Sequence, residues 1–256
     1  MDIDNDYKDM PRYFIEVYYK GANYAGFQIQ HNANSIQAEV ERALQTFFKS
    51  DFDLTGSSRT DAGVHAMNNY FHFDSESLSL YNKEQLDKSI YNLNAILPAD
   101  IVVSNIFLVP DGAHCRFDAK SREYKYCIYQ KKDPFRADTA FYYPYKLDIN
   151  ILVEVANIVQ SCKDFSSFSK RNTQVKSFDC TILKSEWKRE NDLLIYNVRA
   201  NRFLRGMVRG LVGTMLKVGT GKMTVDKFRK ITQAKDCSGV DFSVPAHGLF
   251  LIKVEY

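Results

Sequence analysis

The chain has 256 residues, with 34 Lys and Arg against 31 Asp and Glu and a formal net charge of +3. That near balance excludes a polybasic tail protein and a disordered acidic segment, since each needs a strong charge excess. Its 45 % apolar and 25 % charged residues belong to a soluble globular protein with enough chain to bury a core. No run of 18 apolar residues occurs, which excludes a membrane-spanning helix. Asp2, Asp4 and Asp6 stand where a signal peptide needs a basic and then an apolar stretch, so a cytoplasmic location is expected. Cys115, Cys127, Cys162, Cys180 and Cys237 form no CxxC pair and the histidines form no HExxH. Reduced thiols are expected, with no disulfide framework and no metal chemistry.

From Pro11 to Lys20 the chain reads as a strand, with Tyr13, Ile15, Val17 and Tyr19 alternating with Phe14, Glu16 and Tyr18. A helix follows, capped at Asn34 or Ser35 with Gln37 in the capping-box place, and carries Ile36, Val40, Leu44 and Phe47 at helical spacing. Strands are expected near 52–54 and 69–73, then a helix over 82–93 and a β-rich run over 101–108. After the Pro110-Asp111-Gly112 turn, the pattern predicts a long strand over 115–129 and a helix over 149–160. Strands over 180–188 and 193–200, a helix over 202–218, a short helix over 225–234 and a last strand over 249–254 complete it. Each half thus reads β-α-β-β-α-β. The expected fold class is α+β: two ferredoxin-like halves, 8–110 and 111–256, forming one continuous, mainly antiparallel sheet flanked by helices, with a catalytic cleft between them.

Three segments carry residues suited to chemistry. In Gly56-Ser57-Ser58-Arg59-Thr60-Asp61-Ala62-Gly63-Val64-His65-Ala66, a loop between strands holds Arg59 and Asp61 two residues apart. This fits a capped turn with a solvated arginine, and equally a carboxylate kept ionised by a guanidinium as nucleophile or general base. In the second segment, alternation places Arg122, Tyr124 and Tyr126 on one strand face. A flat ring beside a cation suits a nucleobase and its phosphate, although buried cross-strand aromatics produce the same pattern. In the third, Arg202, Arg205 and Arg209 share one face of the expected helix. Gly206, Gly210 and Gly213 each cost roughly 1 kcal/mol relative to Ala inside it, which points to close packing. Gly219-Thr220-Gly221-Lys222-Met223 fails as a P-loop, because Leu216 and Met223 occupy positions that need Gly and Ser or Thr. No nucleotide cofactor is expected. His65, His72, His114 and His247 read as structural.

Together these segments identify a resemblance that runs nearly end to end. Arg59-Thr60-Asp61-Ala62-Gly63-Val64-His65-Ala66, Arg116-Phe117 with Arg122-x-Tyr124-x-Tyr126, Asp164-Phe165-Ser166-Ser167-Phe168, Met207-Val208-Arg209 with Val212-Gly213, and Ala246-His247-Gly248-Leu249-Phe250-Leu251 resemble the tRNA pseudouridine synthase A family. The resemblance implies isomerisation of uridine to pseudouridine at positions 38 to 40 of the tRNA anticodon arm, by a homodimer without cofactor or metal. It implies Asp61 as the catalytic aspartate, the nucleophile, with Arg209 as its partner and Tyr124 packed on the target base; Arg59, from its spacing, is the other catalytic candidate, able to keep Asp61 ionised. Arg122, Arg202, Arg205, Lys222 and Leu249 are the further substrate-binding candidates. Lys20, Phe27 and Ser58 depart from the family's usual Asp, Trp and Gly, all outside the catalytic set. A non-catalytic RNA-binding protein would leave the Arg59-Thr60-Asp61 loop without a purpose. A small-molecule hydrolase would leave the basic, aromatic segments without one.

Overall fold

Tyr13, Ile15, Val17 and Tyr19 are all buried along β1 (Arg12–Tyr19), as their alternation requires. In the computed structural model, residues 10–171 and 175–256 are described, so the acidic opening residues lie outside the described part. The chain divides into two units between Ala119 and Lys120.

In the first unit β1 pairs antiparallel with β3 (His65–Asp74) and with β4 (Ile101–Val109), so that Ile15 stands opposite both Phe71 and Ile106. The two-residue strand β2 (Thr55–Gly56) pairs antiparallel with β3. Helix α1 (Ile36–Phe48) begins at Ser35, whose Oγ accepts the Ala38 amide, and buries Ile36, Val40, Ala43 and Leu44. Gln37 therefore falls one position short of a capping box. Its Nε2 donates instead to the Leu54 carbonyl (2.7 Å), while Glu41 Oε1 accepts the Leu54 amide (3.2 Å). These two side chains take the backbone groups that a strand over 52–54 would have paired, which is why pairing starts only at Thr55. The capping box occurs at α2 (Lys83–Ile96), between Asn82 and Gln85.

In the second unit β5 (Ser121–Tyr129) lies between β9 (Leu249–Glu255) and β8 (Leu193–Ala200), and β7 (Ile182–Glu190) pairs with β8, all antiparallel. The short β6 (Phe141–Tyr142) runs parallel to β5. Helices α3 (Ile149–Ser161), α4 (Met207–Gly219) and α5 (Val225–Gln233) complete the unit. Leaving β6 aside, the four strands of each unit lie side by side in the same order: fourth, first, third, second.

Two expectations are corrected here. The strand expected from Cys115 begins at Ser121, because residues 114–118 close a tight turn in which the amides of Phe117 and Asp118 donate to the His114 carbonyl (3.1 and 3.0 Å). The helix expected from Arg202 begins at Met207, since Gly206 stands in the left-handed region (φ +74°) as its N-terminal cap. Arg202 and Arg205 thus lie in the preceding loop and share no helical face with Arg209. The glycines do mark close packing: a Cβ at Gly213 would sit 2.2 Å from the Asp241 carbonyl oxygen, and one at Gly210 2.8 Å from the Phe242 ring. No described helix is long and apolar enough to cross a membrane.

Candidate active site

In the first unit, the loop between β2 and β3 is fixed by the backbone of 20–27. Gly26 bridges Asp61, the Phe27 amide donates to the Thr60 carbonyl (3.1 Å), and the Val64 amide closes back onto the Asp61 carbonyl (3.2 Å). Gly26 (φ +121°) is required there, because a Cβ would meet the Thr60 carbonyl oxygen at 3.1 Å. Thr60 Oγ1 and Tyr19 Oη lie 2.8 Å apart. The fully buried Asn69 donates to Tyr19 Oη (3.1 Å) and to the Ser58 carbonyl (2.9 Å). The loop therefore has a buried polar floor and an exposed tip, and Asp61 occupies the tip. Arg59 is exposed too and lines a cleft of about 390 Å³. Phe27, one of the departures from the family pattern, is buried against Phe71 (ring centroids 4.3 Å, nearly parallel) and against Gly56, where a Cβ would be 2.4 Å from its ring.

In the second unit the strand face expected from alternation is formed. Tyr124 is 9 % exposed and meets Phe203 edge-on at 5.0 Å. Tyr126, two residues on, donates to the Pro245 carbonyl (2.8 Å), and Arg209 Nε donates to the neighbouring Val244 carbonyl (2.8 Å). The segment before β9 thus holds the phenol and the guanidinium side by side. Burial raises the Tyr126 phenol pKa well above the ordinary range, and the nearby Arg209 charge opposes that rise only in part. Tyr126 is accordingly a neutral donor. Leu249, buried, stands opposite Tyr126 in the β5–β9 register. Arg122 Nη1 reaches the Asn201 carbonyl (3.3 Å). Lys222 lies over the Tyr145 ring (5.0 Å), just past Gly221 in a left-handed turn. Arg205 is exposed and Arg202 partly so.

The residues 114–118 and their surroundings are a feature that strand periodicity does not reveal. Cys115 is fully buried; its carbonyl accepts Ser57 Oγ (2.7 Å), its thiol donates to the Thr55 carbonyl (3.1 Å), and its Sγ lies 3.1 Å from His72 Nδ1. His72, His114 and Cys115 place one potential ligand atom each within 4.8 Å of one another, a donor set that suits a zinc ion in kind. His114 Nδ1 already accepts the Arg116 amide (3.1 Å), which leaves Nε2 as its available nitrogen. The sequence signal was Arg116-Phe117 next to a Cys and a His, but only the turn shows what they do together.

Burial, with the charges of His114 and Arg12 nearby, lowers the His72 pKa to about 4. The unfolded chain then takes up a proton that the folded chain refuses between pH 6.5 and 4. Stability is present above that window and falls across it, by on the order of 2 kcal/mol. Urea unfolding at pH 7 and pH 4.5 checks this: His72→Asn should lose less stability on acidification than the wild type, and an equal loss would contradict it.

A sequence profile described as tRNA pseudouridine synthase matches residues 15–118 and 162–256. Among curated proteins, the chain is 42 % identical over 250 residues to a tRNA pseudouridine synthase A of Parabacteroides distasonis, covering 96 % of each chain. It is 43 % identical over 246 residues to that of Bacteroides fragilis, again covering 96 % of each. It is 36 % identical over 245 residues to that of a Staphylococcus aureus strain, covering 95 % of this chain and 91 % of the relative.

Proposed function

The chain belongs to the tRNA pseudouridine synthase family, isomerases that convert uridine to pseudouridine in tRNA, and we propose that it acts at positions 38 to 40 of the anticodon arm with Asp61 as the catalytic carboxylate. The observation that carries this reading is the loop itself: Asp61 is offered to solvent on a tip whose backbone is locked by Gly26, Phe27 and Thr60. A carboxylate so held can meet a substrate without first being ordered.

The reaction breaks the N1–C1′ bond, turns the freed uracil and joins C5 to C1′; the C5 proton leaves to solvent and N1 gains one. Asp61 can assist by attack on C1′ or on uracil C6, or by removing a sugar proton. The target uridine must first leave its stack, at a cost of a few kcal/mol that is lowest near the loop end of a stem. In this reading Tyr124 packs on the extruded base with Leu249 beside it, and Arg209 meets Asp61. Arg59 is the second catalytic partner, placed to keep Asp61 ionised, and Arg122, Arg202, Arg205 and Lys222 contact the RNA backbone. The halves read from the sequence, 8–110 and 111–256, are in this reading ferredoxin-like repeats. The identical strand order of the two units supports the duplication. The working form is a cytoplasmic homodimer that needs neither cofactor nor metal.

Transcripts carrying tritium at uracil C5 test the reading. The protein should release tritium from anticodon-arm uridines, and replacing positions 38 to 40 by cytidine should abolish that release. Undiminished release would overturn the assignment. Within the site, Tyr124→Ala should lower turnover at saturating tRNA by about 100-fold or more, because the ring holds the reacting base. Lys222→Ala should chiefly weaken binding and reduce its salt dependence. Equal losses of turnover would contradict these roles.

A further inference from the structure

We propose that Phe117, with His114 and Arg116, is a stacking platform for an unpaired tRNA nucleotide next to the one that reacts, an inference that rests on the tRNA-modifying function above. Phe117 is 73 % exposed, a large apolar ring presented to solvent. Its outer presentation is rigid. The ring packs on His114 (centroids 4.1 Å, 37° between planes), and the Arg116 guanidinium lies 5.7 Å from its centroid. The turn beneath is closed by Asp118 Oδ2 accepting the His114 amide (2.7 Å) and by the Phe117 amide donating to the His114 carbonyl.

That turn is tied to the unit on two sides. Arg12, ion-paired with Asp74, donates to the Ala113 carbonyl (3.0 Å), and buried Cys115 receives Ser57 Oγ. Ser57 opens the loop whose tip is Asp61, so the platform and that loop form one continuous, hydrogen-bonded framework. An aromatic fixed in this way has little conformational entropy left to lose on binding.

The cleft at its foot, about 390 Å³, is within the range of small-ligand sites. Arg59 and Arg116 line it against a single acid, Asp53, and Gln28 offers an amide that can meet a base edge. A flat ring, two guanidiniums and the Gln28 amide match a nucleotide: a π-face to stack, a phosphate to neutralise, an edge to hydrogen-bond. Such a nucleotide is at hand, because extruding the target uridine strips its neighbour of a stacking partner.

The test uses an anticodon-arm hairpin with 2-aminopurine beside the target uridine, whose fluorescence falls when it stacks. Wild-type protein should quench it. Phe117→Ala should lose the quenching and raise the Kd and KM by about tenfold or more, with the greater part of the loss in KM, and Phe117→Trp should restore both. Quenching and affinity unaltered by Phe117→Ala, while the wild type still releases tritium from the hairpin, would overturn the platform and leave the enzyme assignment standing. A change in sedimenting mass with unaltered RNA affinity would assign the ring to contact between copies of the chain and would equally overturn it. Failure of the wild type to release tritium would strike the function itself.

Discussion

Asp61→Asn should lower pseudouridine formation by about 10⁴-fold or more, and tRNA affinity by no more than about threefold. The substitution keeps the size of the side chain and removes its charge, nucleophilicity and basicity together. The loop should survive it, because backbone bonds hold this position: the bridge to Gly26 and the carbonyl that accepts the Val64 amide. Single-turnover tritium release measures the first effect and filter binding the second. Wild-type rates in the variant would remove Asp61 from the chemistry. A parallel collapse of binding would make its role structural.

Gly21→Ala should have the second largest effect, on both stability and turnover. A Cβ at Gly21 would lie 2.0 Å from the carbonyl oxygen of Val64 and 2.8 Å from its carbon. Both atoms are backbone, so no rotamer change relieves the clash, and the end of β1 and the base of the Asp61 loop must separate. The Gly21 amide also donates to His65 Nδ1 (3.1 Å), a buried bond that the same separation would stretch. Stability should fall by about 2–4 kcal/mol. The fraction that remains folded should turn over about 100-fold more slowly, since a displacement of the loop by an ångström misplaces Asp61. Urea unfolding together with single-turnover rates at low temperature separates the two effects. Wild-type turnover in the folded variant would show that loop position is not critical.

Much of this was legible along the chain, and the exceptions share a cause. Alternation over Tyr13–Tyr19 and the helical spacing of Ile36, Val40 and Leu44 report burial directly, so β1 and α1 could be read. Gly210 and Gly213 announced a close approach, though not that Asp241 and Phe242 make it. The arginine stripe misled because Gly206 is compatible with a helix interior at modest cost and with a left-handed cap at none. Periodicity in Arg202, Arg205 and Arg209 fits either case. The displacement of β2 depended on Gln37 and Glu41 reaching across from α1 to Leu54. The turn at 114–118 depended on His114 and Asp118 satisfying its amides. Side-chain bonds of this kind leave no periodic trace, and Phe117, apolar and apparently fit for a strand, ends up in solvent for that reason. The loop around Asp61 and the Tyr124 strand stood out by residue type as candidates for chemistry. The floor built by Tyr19 and Asn69, and the Val244–Pro245 carbonyls that seat Arg209 and Tyr126, emerge only from the packed structure.

The central claim, that Asp61 carries uridine isomerisation in the anticodon arm, is tested most directly by mapping pseudouridines in tRNA from cells that lack the gene and carry either the wild-type chain or Asp61→Asn. Pseudouridine should be absent at positions 38 to 40 without the gene, return with the wild-type chain and stay absent with the variant. Its return with Asp61→Asn, or restoration by the wild type at other positions alone, would contradict the account.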